Sequence, residues 1–329
     1  MFPARLDISA FCHHEEDSAM AKYRILSLDG GGLRGLITAR LLHRLDSHPA
    51  IAGWLADVDL YVGTSTGGIL ALGLAMGKSP DEICSLYKNR GDRIFDDSIW
   101  DDVRDLGKTV GADYSNKNLK AELTNLFGIK KLSDIHKKVA IPTFDLDNEA
   151  GRDKRTWKPK IFHNFIGPGS DGGALVADVA LYTSSAPTYF PSADGYVDGG
   201  VFANNPSIVA IAQAISQKNA ASERAKLDDL VMLSVGTGVS LTYIKGNSLN
   251  WGYAQWVKPL INVLMEGVAG ISDYQAQQLL ADRYHRLQIV FDPSETIPLD
   301  AVNKLDRMDQ IASGHKLDET IKWIKDSWH

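Results

Sequence analysis

Cysteine is nearly missing: the 329 residues include two, Cys12 and Cys84. That excludes a disulfide framework and a four-cysteine zinc site, and predicts two reduced thiols. Long apolar runs are missing too. The most apolar stretch, Gly68 to Met76, falls well short of the roughly 20 residues a membrane-spanning helix needs. Basic charge is not in excess, with 35 Lys and Arg against 41 Asp and Glu and a net charge of −6. This argues against a dedicated nucleic-acid binder, which carries a basic stripe. No repeat and no low-complexity tract is visible. The N-terminus, Met1-Phe2-Pro3-Ala4-Arg5, leads into a polar stretch around Glu15-Glu16-Asp17 with no apolar core. No secretory signal is expected, and the expected location is cytoplasmic. Residues 1–20 read as an N-terminal extension, followed by one domain over 21–329.

What remains is ordinary globular material, 44% hydrophobic and 23% charged, long enough to bury a core without staples. Strand-like and helix-like patterns alternate. Short apolar runs at Tyr23 to Leu28, Asp59 to Val62, Val139 to Asp145, Lys160 to Asn164, Leu230 to Val235 and His285 to Phe291 read as strands. Pro142 marks the third as an edge or a bulge. Helical spacing covers Leu36 to Leu45, much of 80–136, Val176 to Ser185, 254–281 and 299–327. Gly67 to Met76 is apolar on nearly every side, so a buried helix is expected. The alternation predicts a three-layer α/β/α fold with a mainly parallel central sheet. Residues 242–329 are expected to pack helices around it.

The sharpest motif is Gly63-Thr64-Ser65-Thr66-Gly67, a G-x-S-x-G between a strand and an apolar helix. Such an elbow forces its serine into a strained turn and lifts the hydroxyl clear of the sheet. It also sets the serine at a helix N-terminus, where negative charge is favoured. The plainer reading is a small-residue turn that happens to hold a serine.

A second turn, Asp29-Gly30-Gly31-Gly32-Leu33-Arg34-Gly35, also joins a strand to a helix. Gly30, Gly32 and Gly35 fit a dinucleotide fingerprint literally. That reading wants an acid at the end of the next strand, whereas Asp57 and Asp59 precede it and Ser65 follows. A P-loop fails, because Leu36-Ile37 stands where Lys and Ser or Thr are required. The remaining readings are a bare glycine turn and an oxyanion hole built from unshielded N–H groups. Arg34 reads as an anion-orienting group, a solvated helix start or a salt-bridge partner.

A serine hydroxyl needs a base. None of the nine histidines sits in a marking signature. His285 falls in a strand pattern and His315 in a helical one, which suits structural roles. Asp198 stands out instead, in Tyr196-Val197-Asp198-Gly199-Gly200. Glycines beside a carboxylate let the chain approach closely and leave room for substrate. The plainer reading is an Asp-Gly hairpin turn. As a base, Asp198 works best if partial desolvation raises it from the usual value of about 3.9.

Together, Asp29–Gly35, Gly63–Gly67 and Asp198–Gly200 resemble the motifs of the patatin-like phospholipases. Ser184–Pro191, Asn204-Asn205-Pro206 and Ser234–Gly238 add to the resemblance, which spans roughly residues 23–240. It implies a Ser65–Asp198 dyad with no catalytic histidine, and an oxyanion held by the N–H groups of Gly30, Gly31 and Gly32. Asp29, Arg34, Gly35, Gly63, Gly67, Gly199 and Gly200 are implied as supporting motif residues. Ala186-Pro187 and Phe190-Pro191 are implied along the approach to Asp198. The implied activity is phospholipase A-type hydrolysis of membrane glycerophospholipids through an acyl-enzyme, with transient membrane contact and neither metal nor cofactor. It leaves open an activator, small molecule or protein. Rival readings are an esterase or thioesterase for small or CoA-linked acyl groups, and a catalytically silent binding protein. Trp251, Tyr253, Trp256 and Tyr274 read either as a lipid-facing rim or as aromatic core packing.

Overall fold

The computed structural model describes residues 22–94, 114–241, 243–246 and 248–328. The expected extension over 1–20 lies outside the described residues. In chain order the elements are β1 (Tyr23–Leu28), α1 (Gly35–Asp46), β2 (Leu60–Gly63), α2 (Thr66–Ala75), α3 (Pro80–Ile94) and α4 (Asn116–Phe127). Then come β3 (Lys138–Asp145), β4 (Lys158–His163), α5 (Val176–Ser184), β5 (Tyr196–Asp198), α6 (Gly200–Ala203) and α7 (Ser207–Ala214). The chain continues through β6 (Leu230–Val235), α8 (Tyr253–Leu280), β7 (Tyr284–Leu287), α9 (Leu305–Gly314) and α10 (Asp318–Trp323).

The strands form one sheet in the order β4-β3-β2-β1-β6-β7, with β5 added on β3. Pairing is parallel from β3 through β2, β1 and β6 to β7, and antiparallel where β4 and β5 join β3. All of β2 and β6 is buried, as expected for parallel strands covered on both faces. Their side chains alternate between two cores. Ile25, Leu60, Val62 and Met232 pack with Ala210, Ile211 and Ala214 of α7 and with Ala276 and Leu280 of α8. Leu26, Tyr61, Val139 and Leu233 point the other way, into a larger core with α1, α2, α3, α4, α5 and α9. Two apolar faces on one sheet demand two helical layers, and the result is the expected α/β/α sandwich.

Two expectations need correction. Pro142 is neither on an edge strand nor at a bulge. The β2 register on β3 ends at Ala140 and the β5 register begins at Thr143, so proline's missing N–H falls between two partners. Nor is 299–327 one helix, since α9 stops before His315 and α10 begins at Asp318.

β1, β2, β3, β6 and β7 point the same way, so the loops after β1, β2 and β6 leave one edge of the sheet together. In open parallel sheets this edge is where sites form.

Candidate active site

Ser65 follows β2 and caps α2 with φ 57° and ψ −127°, a left-handed conformation unusual for any residue but glycine. The surroundings over-determine that strain. The Ser65 N–H donates to Thr183 Oγ1 at 2.9 Å, and the Thr183 hydroxyl donates to the Pro142 carbonyl at 2.6 Å. The Thr64 hydroxyl donates to the Ala203 carbonyl at 2.6 Å. The flanking glycines are required by close approach. A Cβ on Gly63 would stand 2.0 Å from the Gly67 carbonyl oxygen, and one on Gly67 would stand 2.2 Å from that of Leu28. The elbow is thus pressed against the end of β1.

The glycine loop is held from its other side by the neighbouring strand. Asp29 N–H donates to Val235 O at 3.1 Å, and the Thr237 hydroxyl donates to Gly30 O at 3.0 Å. Gly32 has φ +56° and its neighbour Leu33 donates its N–H to Leu299 O at 2.7 Å. One implied oxyanion donor is already committed: the Gly30 N–H donates to Asn204 O at 3.0 Å. That bond makes the Gly30 N–H an anchor of the loop. The Gly31 and Gly32 N–H groups donate to no backbone carbonyl among the described residues, and both line the cavity described below.

Asp29 does not face that cavity. It is buried in a two-pronged pair with Arg286 of β7, whose Nη1 also donates to Ser234 Oγ at 2.8 Å. Burial alone would lower Arg286, but the Asp29 carboxylate outweighs it and holds the guanidinium charged. Arg34 is not among the cavity-lining residues either. Burial opposes its charge, and Glu266 of α8 is the foremost carboxylate supporting it. Arg286 escaped the sequence reading, although a buried acid at a strand end calls for a counter-charge from an adjoining strand.

Asp198 ends β5 and is buried, with its N–H donating to Ser185 O at 3.0 Å. One carboxylate oxygen accepts from Gly200 N–H at 2.7 Å. Burial raises the carboxyl to about 7, opposed by hydrogen bonding from the Ser65 hydroxyl and from Gly200. Desolvation wins because water is replaced by only two donors. Ser65 and Asp198 meet in a cavity of about 190 Å³ whose walls are mostly apolar, among them Leu33, Ile69, Leu119, Phe190 and Leu264. Ala186, Pro187 and Phe190 line it as implied. Pro191 does not, and its carbonyl accepts instead from Asn116 Nδ2 at 2.8 Å.

The rival site readings fare differently. Asp59 Oδ2 accepts from the Arg24 N–H at 2.8 Å, at the opposite end of β1 from the glycine loop, so it cannot serve a dinucleotide there. No described histidine lines the cavity. His285 Nε2 bonds Thr320 Oγ1 at 2.9 Å and its ring stacks on Trp323. Among the described residues no group of three or more His, Cys, Asp or Glu is arranged to hold a metal ion. Nor is any described helix long and apolar enough to cross a membrane. Of the four C-terminal aromatics, Trp251 and Trp256 meet edge-on at 5.2 Å while half-buried, and Tyr274 is exposed. Tyr253's side chain lies outside the description.

A strained serine between a parallel strand and a buried helix, opposite a desolvated carboxylate in an apolar cavity, has the layout of an α/β hydrolytic site. The sequence profile of the patatin-like phospholipases matches residues 26–211, and the chain belongs to that family of lipid acyl hydrolases. It is 30% identical over 290 residues to a cGAMP-activated phospholipase of Pseudomonas aeruginosa, covering 86% of this chain and 83% of that one. A cGAMP-activated phospholipase of Vibrio cholerae is 35% identical over 234 residues, 65% of this chain and 64% of its own length. Patatin-like protein 1 of Oryza sativa subsp. indica is 30% identical over 295 residues, 77% and 69% of the two chains.

Proposed function

We propose that this chain is a phospholipase A-type acyl hydrolase working through a Ser65–Asp198 dyad. The observation that carries the proposal is that the strained Ser65 at the start of α2 and the buried Asp198 carboxyl, raised to about 7, line the same apolar cavity. Asp198 takes the Ser65 proton as Oγ attacks the ester carbonyl. The resulting oxyanion is held by the N–H groups of Gly31 and Gly32. Collapse expels the lysophospholipid alkoxide, which takes the proton from Asp198. Asp198 then deprotonates a water that attacks the acyl-enzyme, and the fatty acid leaves with Ser65 restored. The apolar walls take the acyl chain, so the reaction runs in a site poor in competing water.

Two of the relatives carry an activator in their names, so a cyclic dinucleotide is proposed as a candidate activator here. The test is mass spectrometry of fatty acids and lysolipids released from phospholipid vesicles, with and without cGAMP. Wild type should release both and Ser65→Ala neither. Equal release by Ser65→Ala would sink the dyad, and release indifferent to cGAMP would sink the activator.

A further inference from the structure

Helix α8 has an apolar side that no described residue covers. Leu260, Val263, Leu264, Ile271 and Tyr274 are between 41% and 61% exposed. With Gly267, their three- and four-residue spacing places them on one side of the helix. The opposite side, Ser272, Ala276 and Leu280, is buried, and Ser272 Oγ accepts from Ile208 N–H of α7 at 3.4 Å. From Pro259 to Asp282 the sequence holds no Lys or Arg. Its Glu266 lies within electrostatic reach of Arg34, Asp29 and Arg286. Trp256, one turn before Leu260, and Tyr274 bracket the apolar residues.

The stripe also runs into the site. Leu264 is more than half exposed and yet lines the cavity that holds Ser65 and Asp198. Whatever covers the stripe therefore also meets the cavity at Leu264. A protein partner there would shut the mouth against substrate, whereas a bilayer there would deliver acyl chains to it. We propose that the Leu260–Tyr274 stripe of α8 docks the chain on a zwitterionic phospholipid surface, cavity mouth against the lipid. This rests on the phospholipase reading above. Tyr and Trp at the ends suit the boundary between acyl chains and headgroups. Binding strength comes from buried apolar area, not from charge, because the stripe has no cation and the chain carries −6 overall. Phosphatidylcholine vesicles should therefore bind at least as well as vesicles containing phosphatidylserine, with little dependence on salt.

The test is sedimentation with phosphatidylcholine vesicles in a Ser65→Ala background, where no lipid is consumed. The parent should sediment. Adding Val263→Asp and Ile271→Asp, neither of which lines the cavity, should weaken binding by roughly tenfold per residue. In the active background the same pair should keep hydrolysis of a soluble short-chain ester and lose vesicle hydrolysis. The milder Val263→Ser, Ile271→Ser pair should fall between, which separates docking from misfolding. Undiminished sedimentation of the aspartate pair overturns the proposal. So does a parent that stays in solution as a dimer, by light scattering, which the aspartate pair splits. Sedimentation without any ester hydrolysis would support docking while sinking the phospholipase reading.

Discussion

Helices α2 and α8 are both rich in apolar residues, and the protein treats them oppositely. Every residue of α2 is buried, wedged between β1, β2 and α5. α8 buries one side against α6 and α7 and turns leucine, valine, isoleucine and tyrosine outward. Composition alone therefore does not decide burial; the neighbours do. α2 carries the strained serine at its N-terminus and holds it on the cavity that Asp198 also lines. α8 contributes Asn262, Leu264 and Met265 to the cavity wall while Val263, Ile271 and Tyr274 face outward.

The largest effect should come from removing the chemistry at the α2 end. Ser65→Ala should lower ester hydrolysis by roughly 10³-fold or more with unchanged thermal stability; matching turnover numbers would break the assigned role. The packing contrast is tested by glycines. Gly67→Ala forces a methyl to within 2.2 Å of the Leu28 carbonyl oxygen and should cost about 2–3 kcal/mol, read as a lower denaturant midpoint.

Asp198 sharpens the buried side further. Its folded value, about 7, lies above the unfolded one, so the native state holds a proton that the unfolded state releases. Stability is therefore untaxed below about pH 4 and falls as pH rises towards 7. Asp198→Asn should gain a few kcal/mol over wild type at pH 8 and nothing at pH 4, by urea titration. Wild-type kcat/KM should climb through pH 7 as the base ionises. A flat profile would separate Asp198 from the proton transfer.

The smallest effect belongs to α8. Gly267 faces open space, so Gly267→Ala should stabilise by about 0.5–1 kcal/mol through helix propensity alone. Opposite signs at Gly67 and Gly267 would uphold the contrast between the two helices, and equal signs would remove it.

Most of the edge that bears the candidate site was legible because its constraints are local. The glycines of G-x-S-x-G answer to atoms a few residues away or on the next strand, and β2 and β6 declare their burial by continuous apolar sequence. What stayed illegible is non-local. Nothing around Gly30 says that Asn204 O takes its N–H, and nothing around Asp29 names Arg286. Pro142 looked like an edge marker because sequence cannot say that a strand changes partners beside it. α8 was expected to pack around the sheet, and its Ala276 and Leu280 do, but its sequence does not say which apolar residues lie beyond that contact. The surplus stands outside.

The Asp29–Arg286 pair spans 257 residues and the Thr237–Gly30 bond spans 207. Ser65 and its glycine loop leave the ribosome early, but Asp198, Thr237, Arg286 and Leu299 arrive long after. At translation rates of about 5–20 residues per second, the gap lasts on the order of ten seconds or more. Throughout it the nascent chain has its elbow serine without Asp198 beside it, and a glycine loop lacking its supports from β6 and β7. The candidate site is therefore assembled only once residues as far along as Leu299 have been delivered.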